Sequence, residues 1–182
     1  MKKTTLIIAL AMVGSALFAQ KKTTTSGTIN FDATTSLDAL PKAENKTVVA
    51  ALDAKTGAIA FEAIMKSFSF ANPMMQEHFN SDKWLDSDKF PTSTFKGKIT
   101  NFSAVNLKKD GTYPAEVSGD LTIHGITKPV TTTGTVIVNG KTIATTAAFT
   151  VKLEDYGITG NGKSIEAGKV IKEPKITIAA NF

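Results

Sequence analysis

The sequence predicts an all-β fold, either an antiparallel sandwich or a closed antiparallel barrel, with one or two short helices. Thr, Val, Ile and Phe are plentiful, and turn residues divide the 182-residue chain into eight short segments. Within those segments apolar and polar residues alternate, which is the period of a strand with one buried face and one solvated face. Both observations favour a sheet that encloses a single hydrophobic core.

The first nineteen residues are predicted to be a cleaved signal peptide that lies outside the fold. Lys2 and Lys3 precede an apolar run that ends in small residues around Ala16 and Ala19, and cleavage after either alanine remains open. The run is shorter than the ~20 apolar residues that a transmembrane helix needs. We therefore expect residues 20–182 to form one domain that is periplasmic or secreted and has no stable membrane insertion.

Composition indicates the source of stability and the kind of partner. The chain has no cysteine, so its stability must come from a hydrophobic core and not from disulfides. Its net charge of +5 falls to +3 once Lys2 and Lys3 are subtracted. The remaining lysines are spread along the sequence among acidic residues and form no dense basic stripe, so no nucleic-acid partner is expected.

Eight strands are predicted in chain order. They span residues 27–32, 46–53, 58–70, 94–106, 113–124, 127–138, 141–153 and 175–182. Asn139-Gly140 predicts a tight hairpin between the sixth and seventh strands, because both residues tolerate a positive φ. In the third strand Phe68 and Phe70 fall on the opposite parity to the residues before them, which predicts a bulge near Lys66 or Ser67.

A helix is predicted between the third and fourth strands. Asn72 provides an N-cap and Pro73 occupies the first helical position, so the helix begins there and continues to about Phe79. The segment 81–89 that follows is predicted to be a second short helix or an ordered loop. No internal repeat or linker is visible.

No catalytic residue, metal site or cofactor is predicted. The two histidines, His78 and His124, lie far apart in sequence and lack ligand spacing, so structural roles are favoured for both. Residues 160–164 end in the lysine and serine of a phosphate-binding loop, but the glycine spacing is wrong and no helix is predicted to follow. Asp82, Asp86 and Asp88 lack the glycine and terminal glutamate of a calcium loop.

The most distinctive feature is a concentration of large apolar side chains around the helical interruption. The cluster consists of Phe61, Met65, Phe68, Phe70, Met74, Met75, Phe79, Trp84 and Phe90. An eight-stranded barrel is wide enough either to be filled by its own side chains or to hold one small ligand. The pattern of residues alone leaves both interpretations open.

Two segments resemble the hallmark motifs of the YceI-like family. They are residues 75–91, followed by Phe95, and residues 119–130; a later Asp-Tyr-Gly turn at residues 155–157 is also similar. The resemblance covers most of residues 27–182. It implies an eight-stranded antiparallel lipocalin-like barrel, exported to the periplasm, that binds a polyisoprenoid chain such as a quinone or a prenyl phosphate. The tryptophan and the His-Ser pair usual near the start of the family are absent.

The resemblance also implies a set of ligand-binding residues. The cavity would be lined by Phe31, Phe61, Met65, Phe68, Phe70, Phe95, Leu121, Ile123 and Phe149, with Met74, Met75 and Phe79 near its mouth. The motif histidines and the turn at residues 127–129 are expected to be architectural.

The expected function is noncatalytic binding, transport or storage of an elongated apolar isoprenoid lipid. Two alternatives remain at this point: a small integral outer-membrane β-barrel, and a stress-related structural module with a closed core. An enzyme is the weakest alternative because no set of reactive residues is present. The sequence does not determine the oligomeric state, and a homodimer is left open.

Overall fold

The structure, a computed structural model, describes residues 21–160 and 163–182. The predicted signal peptide, residues 1–19, therefore lies outside the described residues.

Eight long strands form one antiparallel sheet that closes on itself. The strands are β1 (Lys21–Asp32), β2 (Lys42–Asp53), β3 (Ala58–Ile64), a two-residue β4 (Ser69–Phe70), β5 (Thr92–Ile99), β6 (Gly111–Ile123), β7 (Ile126–Asn139), β8 (Thr142–Thr150) and β9 (Lys175–Asn181). The order is β1-β9-β8-β7-β6-β5-β3-β2, and β2 pairs again with β1, while β4 pairs only with β2. The predicted all-β, eight-stranded antiparallel barrel is confirmed.

The alternation seen in the sequence separates the two faces of the barrel wall. In β6, Ala115 and Leu121 point inward and are buried, whereas Glu116 and Asp120 on the other parity are exposed. Side chains of a strand alternate between the two faces of its sheet, so closure of the sheet collects one parity in the interior.

The third predicted strand is the main point at which the structure differs from the prediction. β3 ends at Ile64, and Met65–Ser67 form a 3₁₀ turn where a bulge was predicted. The turn changes the parity as a bulge would, and both Met65 and Phe68 are buried. It also moves the chain off β5, so that Phe70 in β4 pairs with β2.

The predicted strands 94–106 and 141–153 were also too long, because each ends in a 3₁₀ turn. β5 ends at Ile99 and is followed by a 3₁₀ turn at Phe102–Ala104. β8 ends at Thr150 and is followed by a 3₁₀ turn at Leu153–Tyr156. In both cases apolar residues continue past the end of the strand because they cover an end of the barrel and not its wall.

The predicted hairpin between β7 and β8 is present, but its turn lies one residue later. Asn139 pairs with Thr142, so the two turn residues are Gly140 and Lys141, and of these only Gly140 has a positive φ, of 58°. The turn between β6 and β7 is the one in which both residues are left-handed, since His124 has a φ of 51° and Gly125 a φ of 73°.

The predicted first helix is confirmed as α1 (Pro73–Asn80), whose N-cap Asn72 accepts a hydrogen bond from the Met74 N–H at 2.9 Å. Segment 81–89 is a series of hydrogen-bonded turns, which is the ordered-loop alternative. The prediction that no helix follows residues 160–164 was wrong, because α2 (Lys163–Glu166) is a single helical turn. Four residues are too few for a helical period to be visible in sequence.

The connections between strands are distributed unevenly between the two ends of the barrel. At one end, here called the short-loop end, lie residues 21–22 and the connections 54–57, 100–110 and 140–141. At the other, the long-loop end, lie the connections 33–41, 65–91, 124–125 and 151–174. Both helices therefore lie at the long-loop end, where one or two short helices near the mouth were expected.

Candidate ligand cavity

The barrel interior contains a cavity of about 150 Å³. Side chains of β1, β3 and β5 to β9 line its wall. Phe61, Phe95 and Phe149 point inward yet are only partly buried. Side chains that face inward and still keep accessible surface border a void, so the interior is not completely filled by the chain itself.

The cavity wall is almost entirely apolar. Three of the hydroxyl groups on it have partners: Ser93 Oγ donates to the Met65 sulfur at 3.0 Å, Thr132 Oγ1 to the Ala148 carbonyl at 3.3 Å, and Thr145 Oγ1 to the Ala180 carbonyl at 3.5 Å. No charged side chain lines the cavity within the described residues. An ionised group would lose its hydration here without compensation, whereas a hydrocarbon group would be accommodated.

Small residues in the wall create part of this space. The Phe95 ring lies across the paired glycines Gly97 and Gly119, and a Cβ on Gly119 would lie 2.8 Å from its Cζ atom. In the adjoining part of the wall Gly134 of β7 pairs with Ala147 of β8, so two adjacent inward positions carry almost no side chain. A Cβ on Gly97, Gly119 or Gly134 would lie within 2.5 Å of backbone atoms of the neighbouring strand, so these three positions require glycine, whereas a larger residue at Ala147 would enter the cavity.

The short-loop end of the barrel is sealed by packed side chains. Strand residues there form a buried cluster that includes Leu52, Val138 and Ile143. The connection between β5 and β6 folds over it and contributes Val105 and the half-buried Phe102. This end is therefore the floor of the cavity.

The long-loop end is covered by an aromatic cluster centred on Phe79 of α1. The Phe79 ring lies 5.5 Å from those of Phe31 and Phe68 and 5.0 Å from that of Phe70, measured between centroids. Phe79 is the only buried residue of α1. The helix is thus held to the barrel mainly by one side chain, which makes it the cover that is easiest to displace.

The two histidines do not face the cavity. His124 Nδ1 donates to the Tyr156 carbonyl at 3.0 Å, and its ring lies 4.6 Å from that of Phe90. A Cβ on Gly125 would lie 2.5 Å from the same Phe90 ring. Phe90, the His124-Gly125 turn and Tyr156 come from the three sequence segments that carry the family resemblance, and the fold joins them at the long-loop end. His78 is exposed on α1.

Most of the residues predicted to bind ligand lie on the cavity wall. They are Phe31, Phe61, Met65, Phe68, Phe79, Phe95, Leu121, Ile123 and Phe149. Phe70 does not line the cavity and packs behind Phe79. Met74 and Met75 do not line it either, since Met74 is 62% exposed on the outer side of α1 and Met75 is half-buried.

Sequence reasoning missed several lining residues, including Ile29, Val130, Ile176 and Ile178. Ile176 and Ile178 share one parity of the alternating last strand. That parity was the signal that could have identified them, because every inward position of a small barrel borders the lumen or a packed end.

Two further features bear on the class of protein. In residues 21–160 and 163–182, no group of three or more His, Cys, Asp or Glu side chains is arranged to hold a metal ion. Over the same residues, no helix is both long and apolar enough to cross a membrane.

Curated relatives match part of the chain. The UPF0312 protein of Pseudomonas putida strain F1 is 36% identical over 92 residues, which cover 47% of this chain and 44% of the relative. The UPF0312 protein of Pseudomonas fluorescens strain SBW25 is 34% identical over 116 residues, which cover 60% and 57%. The chain thus spans about half the length of the curated relatives it matches.

Solved structures match the fold over most of the chain. A polyisoprenoid binding domain from Saccharophagus degradans, implicated in plant cell wall breakdown, superposes with a TM-score of 0.74 at 12% identity, covering 89% of this chain and 97% of that one. Burkholderia cenocepacia BcnA superposes with a TM-score of 0.70 at 20% identity, covering 86% and 96%. The sequence model of the YceI-like domain matches residues 11–182. The chain belongs to the YceI-like family.

Proposed function

We propose that this protein binds, transports or stores an elongated apolar isoprenoid lipid, of the quinone or prenyl phosphate class, and does so without catalysis in the periplasm. The observation that carries the proposal is the apolar cavity inside a barrel of this family, with no charged side chain on its wall. The Saccharophagus degradans domain of the same fold, described as polyisoprenoid binding, supports the ligand class.

The wall suits a branched hydrocarbon chain. Phe61, Phe95 and Phe149 provide broad apolar surfaces, and Met65 provides a flexible side chain that adapts to irregular shapes. Isoprene units carry a methyl branch at regular intervals and have no hydrogen-bonding group. Such a tail satisfies the requirement that nothing polar be buried without a partner.

The volume of the cavity limits how much of the tail it holds as the structure stands. A cavity of about 150 Å³ is comparable to one that binds a single benzene molecule. It therefore holds the end of a tail, on the order of one or two isoprene units. A longer tail must continue toward the long-loop end and displace part of the aromatic cluster around Phe79.

The polar head of the ligand would remain outside the barrel. The floor at the short-loop end is packed, and the wall offers no charged partner, so the tail enters first from the long-loop end. At about 0.3 kcal/mol per atom, each five-carbon isoprene unit that the barrel takes up contributes roughly 1.5 kcal/mol, so nanomolar affinity, about 12 kcal/mol, needs about eight units and requires the aromatic cluster to move aside. A ligand bound this tightly would remain with the protein during purification.

The two alternatives are less compatible with the side-chain arrangement. An outer-membrane barrel presents apolar side chains to lipid on its outer face, whereas here the outward positions of β5 and β6 carry Lys96, Lys98, Glu116 and Asp120. A closed structural module would have a filled interior, and the cavity argues against that.

The test is native mass spectrometry of the mature protein, followed by organic extraction of any excess mass. An isoprenoid in the extract would support the proposal. A bare polypeptide mass that persists after incubation with quinones and prenyl phosphates would overturn it. Osmotic-shock fractionation of cells that express the full chain, with N-terminal sequencing of the product, tests the periplasmic location and the cleavage site separately.

A further inference from the structure

The fold collects six lysines at the short-loop end of the barrel. They are Lys21, Lys22, Lys55, Lys108, Lys109 and Lys141. Two aspartates, Asp53 and Asp110, lie at the same end, which therefore has a net charge of +4. The rest of the chain from residue 21 onward has thirteen lysines and fourteen acidic residues, a net charge of −1. The excess positive charge of the protein is thus confined to one end.

These lysines come from separate connections that contact one another. Lys21 is the strand partner of Asp53, and the Lys22 ammonium donates to the Lys141 carbonyl at 3.5 Å. The Asp110 carboxylate accepts a hydrogen bond from the Gly140 N–H at 2.8 Å, which joins the connections before β6 and before β8. The six lysines therefore form one continuous surface, here called the lysine face, and not isolated charges.

The two acidic residues at this end are already used by the backbone. Asp53 accepts hydrogen bonds from the N–H groups of Lys55 and Thr56, both at 2.9 Å. Asp110 is occupied by the Gly140 N–H. The ion pairs formed among the described residues all involve other lysines, namely Lys42, Lys46, Lys66 and Lys152. The lysine face therefore keeps its charges available to an external partner.

We propose that the lysine face docks the protein on an anionic lipid surface. The lysines are exposed or half-exposed on neighbouring loops. A bilayer with anionic headgroups presents negative charge over an area wide enough to contact all of them, and each lysine near such a surface strengthens binding by roughly fivefold. Docking by this face is peripheral and leaves the cavity unaffected.

This docking also sets an orientation. The lysine face lies at the sealed floor of the barrel, so the long-loop end, with α1 and the aromatic cluster, points away from the bilayer. Three exposed apolar side chains of the long-loop end, Leu37, Leu40 and Ile171, then face solvent. A ligand would be exchanged with a partner in solution and not directly with the bilayer on which the protein sits. The docking itself does not depend on what the cavity holds.

Binding to vesicles tests the proposal against simple attraction of a basic protein. The mature protein is sedimented with vesicles of phosphatidylcholine alone or of phosphatidylcholine with phosphatidylglycerol. The test variant carries K55Q, K108Q, K109Q and K141Q on the lysine face. The control carries K83Q, K128Q, K169Q and K175Q, which are exposed lysines of the long-loop half. Both variants lose four positive charges, so they have the same net charge.

We expect binding only to vesicles that contain phosphatidylglycerol, and loss of binding between about 0.1 M and about 1 M salt. The test variant should bind several hundredfold more weakly, on the order of four fivefold factors, while the control should bind like the parent protein. Equal weakening of both variants, or binding to neutral vesicles, would overturn the proposal. Retention on an acidic protein or on nucleic acid, with none on anionic vesicles, would also overturn it.

The orientation has its own measurement, because the chain has no cysteine that would compete for a label. A fluorophore is attached through N139C at the short-loop end or through S36C at the long-loop end, both exposed positions. Vesicles with nitroxide-labelled headgroups should quench the fluorophore at position 139 and not the one at position 36. The reverse result would mean that the apolar side chains around Leu37 contact the bilayer, and it would refute the docking geometry.

Discussion

Filling the cavity from within should stabilise the unliganded protein and abolish ligand binding. Ala147 lies on the cavity wall and faces Gly134 across the β7–β8 pair. In the Ala147→Leu variant the added side chain has room, because neither position carries a side chain beyond Cβ. Enlarging a residue in a closely packed core has the opposite effect, since overpacking usually destabilises.

The magnitude follows from the cavity volume. An empty cavity of about 150 Å³ costs roughly 4 kcal/mol at about 24 cal/mol per Å³. The three additional carbon atoms of leucine recover about 2 kcal/mol of that, at about 0.8 kcal/mol each. The variant should therefore be more stable than the parent protein by about 1–2 kcal/mol once the lost side-chain entropy is subtracted.

Urea denaturation of the delipidated protein measures this change, and native mass spectrometry of the undelipidated protein measures the loss of bound isoprenoid. Ala148→Leu is the matched control, because Ala148 is the next residue of β8 and faces outward. It should leave both the bound mass and the free energy of unfolding nearly unchanged.

Two results would contradict this prediction in different ways. If Ala147→Leu destabilises the delipidated protein by roughly 1–3 kcal/mol, as overpacking does, the interior is filled and the cavity does not exist in solution. If the variant is stabilised but retains its isoprenoid, the ligand binds elsewhere than in the barrel.

Three other predictions concern α1, the buried Asn45 of β2 and the pH dependence of stability. Phe79→Ala removes the only buried side chain of α1, so it should lower the free energy of unfolding by about 3 kcal/mol and accelerate ligand release in stopped-flow fluorescence. Asn45→Ala leaves the Ile64 carbonyl and the Thr47 N–H without their buried partner, so urea denaturation should show a loss of about 2–3 kcal/mol. Burial raises the pKa of Tyr156 above its ordinary value of 10.0. The stability that the neutral Tyr156 side chain contributes is therefore fully present below pH 10.0 and is lost as the pH rises through the folded-state pKa. In denaturation curves Tyr156→Phe should reduce this loss of stability at alkaline pH.

Each of these has an outcome that would contradict it. Ligand release at an unchanged rate in Phe79→Ala would mean that α1 does not cover the entrance. An unchanged free energy of unfolding in Asn45→Ala would mean that water reaches the two backbone groups. An unchanged loss of stability at alkaline pH in Tyr156→Phe would mean that the Tyr156 hydroxyl is solvated in the folded protein.

Part of the site could be predicted because its signal is local. Alternation by two residues places Leu121 and Ile123 on the inward face of β6, and it needs no knowledge of the other strands. The N-cap at Asn72 with Pro73 after it is equally local, because both act on the first turn of the helix.

Other features depend on residues that are distant in sequence. Phe70 was expected to line the cavity, but the turn at Met65–Ser67 moves β4 onto β2 and places Phe70 behind Phe79. Nothing in residues 65–70 by themselves distinguishes such a turn from a bulge. The pairing with β2, some twenty-five residues earlier, selects it.

Local periodicity and short motifs were enough to predict an all-β fold, most strands, α1, the family and an apolar interior. The void in the interior and the gathering of six lysines at one end depend instead on how the sheet closes in three dimensions. A void is the difference between the width of the closed sheet and the side chains that fill it, and it depends on pairs across strands such as Gly134 and Ala147. The lysine face has the same origin: its residues lie up to 120 positions apart, and barrel closure brings them together.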